Sequence, residues 1–187
     1  MLPRLVETFR TQPPYRALGR ALPQRGTQLR VGGLPGSSPA VLVAALAVEH
    51  PQRVFLVVAP GPAAAEAWLA DLHVLMGDAV RLFPQRESLG EEEPHLEILG
   101  ERVETLDTVL SGEARAVVTT LRATLELTRM PEAVEQQRLE IRKEGGLSWG
   151  DVVDRLESIG YERTPSVVDV AQYAVRGGII DVYGFGM

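Results

Sequence analysis

The residues whose types and spacing come nearest to a known chemistry lie between Gly33 and Ala40. A phosphate-binding loop follows the pattern G-x-x-x-x-G-K-[ST]: backbone N–H groups cradle the phosphates, the lysine reaches the β- and γ-phosphates, and the hydroxyl holds Mg²⁺. Laid on that pattern from Gly33, the second glycine position is Ser38, the lysine position is Pro39 and the hydroxyl position is Ala40, with Gly36 inside the turn. The frame is present and its reactive groups are gone. A helix N-terminus can hold an anion through backbone N–H groups alone. Residual phosphate binding therefore stays open beside a second reading, a glycine turn kept for steric reasons.

No other set of residues makes a catalytic centre. His50, His73 and His95 are scattered, with no second histidine or carboxylate at ligand spacing. Glu91 to Glu93 form an acidic run, which reads as a solvated loop before it reads as a cation site. None of the expected strands ends in adjacent acids, as a helicase-type Mg²⁺ pair would require. Neither metal nor cofactor is expected.

A different signal comes late in the chain. Arg163 and Arg176 lie on neighbouring extended segments, beside Tyr161 and Tyr173. Arginine next to an aromatic ring on an exposed sheet suits a protein interface, because it joins bidentate pairing to a rigid apolar surface. The arginines are expected on one exposed face. The alternative is a pair of surface ion pairs, with Glu162 and Asp181 close by.

The elements that must position these residues follow from local pattern. Residues 4–22 read as helices broken at Pro13-Pro14. Gln28 to Val31 is a short strand, followed by a helix with Ser38 as N-cap and Pro39 at its first position. Arg53 to Val58, bounded by prolines, has the continuous apolar run of a buried parallel strand. Ala63 to Met76 is a helix with Ala67, Leu69, Leu72, Leu75 and Met76 as its apolar stripe. A strand over Ala79 to Phe83, a helix over Leu96 to Leu110, a strand over Ala114 to Thr120 and a short helix over Leu121 to Thr128 complete the alternation. That rhythm predicts a doubly wound, mostly parallel α/β sheet over residues 1–130.

From residue 131 the pattern changes to a smaller α+β unit. Arg138 to Lys143 alternates as a half-exposed strand does, and Ser148 with Asp151 forms a capping box for a helix reaching Ile159 and stopped by Gly160. Extended segments follow, including Tyr173 to Val175 and Ile179 to Tyr183 around Arg176-Gly177-Gly178. The chain stops directly after a strand, which reads as a cut inside a sheet.

Composition bounds the function. The 187 residues are 45% hydrophobic and 24% charged, an ordinary globular balance. With 25 acidic and 19 basic residues the net charge is −6, so a broadly basic nucleic-acid surface is not expected. Cysteine is absent, which excludes disulfides and thiolate metal sites. With neither a signal-peptide core nor a membrane-length apolar run, the expected location is the cytoplasm.

Five motifs occur in order: Leu82-Phe-Pro-x-x-Glu87, Pro94-His-x-Glu-Ile-x-x-Glu-Arg102, Val117-Val-Thr-Thr-Leu-Arg-Ala123, Gly160-Tyr-Glu-Arg163 and Tyr173-Ala-Val-Arg-Gly-Gly-Ile-Ile-Asp-Val-Tyr183. Together they resemble the N-terminal, UvrB-homologous module of bacterial transcription-repair coupling factors (Mfd). The resemblance implies that residues 1–130 are similar to the first helicase-like domain of UvrB, with a degenerate phosphate loop. It implies that residues 131–187 are similar to part of UvrB's UvrA-binding domain, and that Arg163 and Arg176 correspond to arginines that contact UvrA. UvrB carries a further basic residue where this chain has Ala174. The segment from Pro84 to Pro94 is too short for the DNA-threading hairpin of UvrB. The implied role is non-catalytic: binding UvrA on behalf of a larger factor whose motor and RNA-polymerase-binding domains lie elsewhere, with little direct DNA binding. The alternative is a nucleotide- or phosphate-binding fragment of an ATP-dependent helicase or translocase. A third reading is a plain structural domain.

Overall fold

A computed structural model of the chain describes residues 2–22, 26, 28–86, 96–126, 128, 139–143 and 145–184. Expectations for Arg138, His95, the acidic run Glu91 to Glu93 and most of the segment between Pro84 and Pro94 fall outside these residues.

Two helices lead the chain, α1 over Leu2–Thr11 and α2 over Pro13–Ala21, parted at Gln12. Proline at the start of α2 sets the break, because it cannot donate to the preceding turn. Their apolar sides, Val6 and Tyr15 with Phe9 and Leu18, pack on Leu42, Ala44 and Ala45 of α3, which spans Ser38–Glu49. Tyr15 donates its hydroxyl to Glu49 Oε2 at 2.5 Å, tying α2 to the end of α3. Burial, then the bond to the Glu49 carboxylate, pushes the Tyr15 phenol up to about 12.

The α3 sequence is apolar nearly all round, and the structure uses more than one side of it. It also meets α4, which spans Pro62–Met76 and touches α1 as well. The central sheet has β1 over Phe55–Ala59, β2 over Val80–Phe83 and β3 over Ala116–Thr120, in the order β1-β3-β2 and parallel throughout. Every residue of β3 is buried, as a middle strand covered on both faces requires. On one face, Val80, Ala116, Val118 and Ala59 pack with Ala40, Ala65 and Leu72. The alanines let the helices approach closely. Leu72 fills the space between, and cutting it to alanine would cost about 2–5 kcal/mol.

On the other face α5, spanning Leu96–Leu110, packs on β2, while Leu56 and Val58 of β1 are exposed, so β1 is not the buried strand its apolar run suggests. Arg81 of β2 pairs with Glu104 of α5, and Thr105 Oγ1 donates to the Leu82 carbonyl. Arg102 is nearly buried, with its guanidinium 4.1 Å above the Phe83 ring. It donates at 2.7 Å both to the Pro84 carbonyl and to Glu126 Oε2, just past the short helix α6 of Leu121–Leu125. Burial pulls the Arg102 pKa down and Glu126 opposes the shift. Glu126 also accepts the Arg86 backbone N–H, so one carboxylate holds the chain leaving β2 against α5 and α6.

Several expectations need correction. Residues 28–31 are not a strand: they do not pair with the sheet, whose described strands number three. The N-cap of α3 is Ser37, not Ser38, which shifts Pro39 to the second helical position. Ala67 is exposed and leaves the apolar stripe of α4 to Leu69, Leu72, Leu75 and Met76. Residues 139–143 form no strand either, although Leu139 packs on the core of the second unit.

That unit contains α7 over Trp149–Ser158 and a sheet of β4 (Glu162–Arg163), β5 (Gln172–Arg176) and β6 (Ile179–Tyr183). The capping box forms in full: Ser148 Oγ accepts the Asp151 N–H and Asp151 Oδ2 accepts the Ser148 N–H. The Ser148 side chain first, and its backbone N–H second, hold the Asp151 carboxyl below its usual range. β4 runs parallel to β5 and β6 antiparallel to it, so the architecture is an α/β domain followed by a small α+β one. No helix among the described residues is long and apolar enough to cross a membrane.

Candidate partner interface

The loop before α3 turns at two glycines. Gly33 and Gly36 have φ of 72° and 55°, the left-handed region that glycine enters without penalty. The donors at the start of α3 bond back into the turn. The Ser38 N–H and Oγ both donate to the Pro35 carbonyl, Pro39 has no N–H, and the Ala40 and Val41 N–H groups both donate to the Ser37 carbonyl. An open cleft of about 250 Å³ faces this turn, and its far wall is Ala64, Trp68 and Asp71 of α4. A carboxylate and an indole stand opposite the place where phosphates would sit. Among the described residues no group of three His, Asp or Glu side chains could hold a metal.

In the second unit, side chains alternate across the sheet, and the register assigns each to a face. Tyr173 pairs with Val182 and with Arg163, while Val175 pairs with Ile180. These residues share the face that α7 covers with Val152 and Leu156. Tyr173 is 0% exposed, and its hydroxyl donates to Glu157 Oε1 at 2.6 Å. Burial first, and the Glu157 bond second, push the Tyr173 phenol up, while the nearby Arg163 charge opposes them. Tyr173 is therefore core. Its ring supports the sheet from beneath and presents nothing to a partner. Tyr161 is half-buried against the same cluster.

The opposite face is more open. Arg176 pairs with Ile179, Ala174 with Asp181, and Gln172 with Tyr183, so Arg176, Ile179, Asp181 and Tyr183 share one side. Gln172 Oε1 accepts N–H groups from Val168 and Asp169, which ties that loop to the Tyr183 end. At the hairpin end, Ile179 is 62% exposed and the Arg176 side chain 64%. Arg176 donates from one terminal nitrogen to Asp181 Oδ2, on the diagonal position of the neighbouring strand. Gly177, at φ of 57°, makes the two-residue turn that sets this register.

The expectation of one shared face therefore fails. Arg163 is exposed at the edge strand on the helix side, and Arg176 lies on the open side. The expected ion-pair alternative holds in part, since Arg176 does pair with Asp181. The sequence reading missed Ile179 as the surface neighbour of Arg176, and Tyr183 as a residue farther along the same face. Counting by twos outward from the Gly177-Gly178 turn would have found them.

Residues 139–187, which contain this sheet, match the UvrB interaction domain family. Over 189 aligned residues the chain is 30% identical to a transcription-repair-coupling factor of Mycobacterium bovis, an alignment covering 96% of the chain. The chain is a relative of the transcription-repair-coupling factors. It is also 26% identical over 182 residues to the factor of Bacillus subtilis and 24% over 184 residues to that of Escherichia coli, covering 95% and 97% of the chain. The chain spans about 15% of the length of these relatives.

Proposed function

We propose that this chain is a non-catalytic recruitment module that binds UvrA and so links a stalled RNA polymerase to nucleotide excision repair. The observation that carries the reading is a coincidence of place. The UvrB interaction domain match falls on the sheet whose hairpin end sets an exposed arginine beside an exposed isoleucine. Arg176 is the proposed central contact with carboxylates on UvrA, with Ile179 as its apolar neighbour and Tyr183 farther along the same face. Arg163, at the sheet edge, contributes from the rim. Tyr161 and Tyr173 hold the sheet in shape. In this reading the helicase-like domain gives way to the UvrA-binding domain near residue 130.

The loop geometry supports the non-catalytic half of the proposal. A nucleotide would need free N–H donors at the start of α3, and Ser38, Ala40 and Val41 have spent theirs. Asp71 would oppose its charge, and neither Pro39 nor Ala40 can replace the missing lysine and hydroxyl. The net charge of −6 argues for a protein partner over a DNA backbone. The motor and polymerase-binding functions of the longer factor are assigned to other parts of it, and the module works in the cytoplasm.

Competition tests the proposal. If the chain uses a UvrB-type surface, adding it to a preformed UvrA–UvrB complex displaces UvrB in a dose-dependent way. Binding to UvrA with no displacement of UvrB would move the contact off this face, and absence of binding would refute the partner.

A further inference from the structure

We infer that Asp181 is a positioning residue for the partner contact made by Arg176. This inference rests on the reading that Arg176 meets an acidic partner. The hairpin register places Asp181 one pair along the open face from Arg176, at the diagonal spacing that a long side chain spans. The bond uses one terminal guanidinium nitrogen, NH2, and one carboxylate oxygen. NH2 carries two N–H groups, one on each donor edge of the planar fork, so the edge that does not face Asp181 can take a second carboxylate. The guanidinium remains largely solvent-exposed while its tip is held. A free arginine samples many rotamers and loses that freedom on docking. An arginine tethered to Asp181 has lost part of it already. Asp181 is thus a second acid beside the arginine, shared with the partner's carboxylate rather than displaced by it.

The two roles an acid can have here predict opposite signs. If Asp181 orients Arg176, removing it weakens partner binding. If it competes for Arg176, removing it tightens binding.

The test is a double-mutant cycle on the full chain, with UvrA as the titrant and calorimetry as the readout. The single variants are Asp181→Ala, Asp181→Asn and Arg176→Ala, and the double is Arg176→Ala with Asp181→Ala. Asp181→Ala should weaken binding about 2- to 10-fold, the cost of re-ordering one rotamer-rich side chain. Asp181→Asn keeps an acceptor oxygen at the same place, so it should recover most of the loss. In the Arg176→Ala background, Asp181→Ala should have no further effect. Tighter binding by both Asp181 variants would overturn the inference in favour of competition. Unchanged binding by Asp181→Ala would make the pair a bystander. A loss that persists without Arg176 would show that Asp181 acts on its own. Circular dichroism melts accompany each variant, and if Asp181→Ala melts early, Asp181→Ser replaces it, since serine cannot span the diagonal. If Arg176→Ala itself binds like the parent, the UvrA-contact reading falls first, and the cycle separates that failure from failure of the Asp181 role.

Discussion

Tyr173 separates support of the surface from contact with the partner. Its ring is fully buried between β5 and α7, packed with Val152 and Leu156, and its hydroxyl is bonded to Glu157. Removing the ring with Tyr173→Ala should cost about 3–5 kcal/mol, the usual loss for a large buried aromatic. Tyr173→Phe keeps the ring and deletes only the bond. A hydrogen bond to a charged group is worth about 1.5–3 kcal/mol, and because Glu157 is exposed and can rehydrate, the lower end applies. Urea denaturation followed by circular dichroism measures both variants. UvrA affinity, titrated well below the transition, should stay within about 2-fold of the parent for Tyr173→Phe, because the substitution touches nothing on the open face. A tenfold or greater loss of affinity with unchanged stability would put the hydroxyl at the partner contact and refute the reasoning.

Glu126→Ala should lower stability by about 3–5 kcal/mol, because it strands the Arg102 guanidinium without its buried carboxylate. Urea midpoints would show it, and the double change Arg102→Met with Glu126→Leu should recover much of the loss. The phenols of Tyr15 and Tyr173 are both raised above their unfolded value of 10.0, so the stability they lend is whole below that pH. It is lost as pH rises, through about 12 for Tyr15, and ultraviolet titration beside denaturation at each pH would follow both events. Mg-ATP titrated into the chain should give no saturable heat; a low-micromolar dissociation constant abolished by changing Gly36 would overturn the account of the loop.

Legibility from the sequence varied with how much of the answer was local. The helix Leu96–Leu110, the capping box at Ser148 and the break at Pro13-Pro14 follow from periodicity and capping chemistry within a few residues, and the structure has them. Gln28 to Val31 had the composition of a strand, but a strand needs a partner, and the described sheet ends at β1 on one side and β2 on the other. Nothing inside four residues tells whether an edge will accept them. Tyr173 failed for a related reason. Alternation along Gln172–Arg176 divides the strand into two faces without saying which one a helix covers. The apolar stripe of α7, Val152 and Leu156, decides it and buries Tyr173, while the pairing of Arg163 with Tyr173 puts Arg163 and Arg176 on opposite sides. Pro39 and Ala40 show in the sequence where the loop before α3 departs from the phosphate-loop pattern. The inward turn of its N–H groups depends on Pro35 and Ser37, which no motif specifies.

The most direct test of the central claim is a calorimetric titration of UvrA with the parent chain and with Arg176→Ala. If Arg176 meets a desolvated carboxylate, its loss costs about 2–5 kcal/mol, or roughly 30- to several-thousand-fold in affinity, with the melting temperature nearly unchanged. Arg163→Ala, at the rim, should cost well under about 1 kcal/mol. Equal binding by the parent and Arg176→Ala, with both folded, would contradict the account and place the partner surface elsewhere.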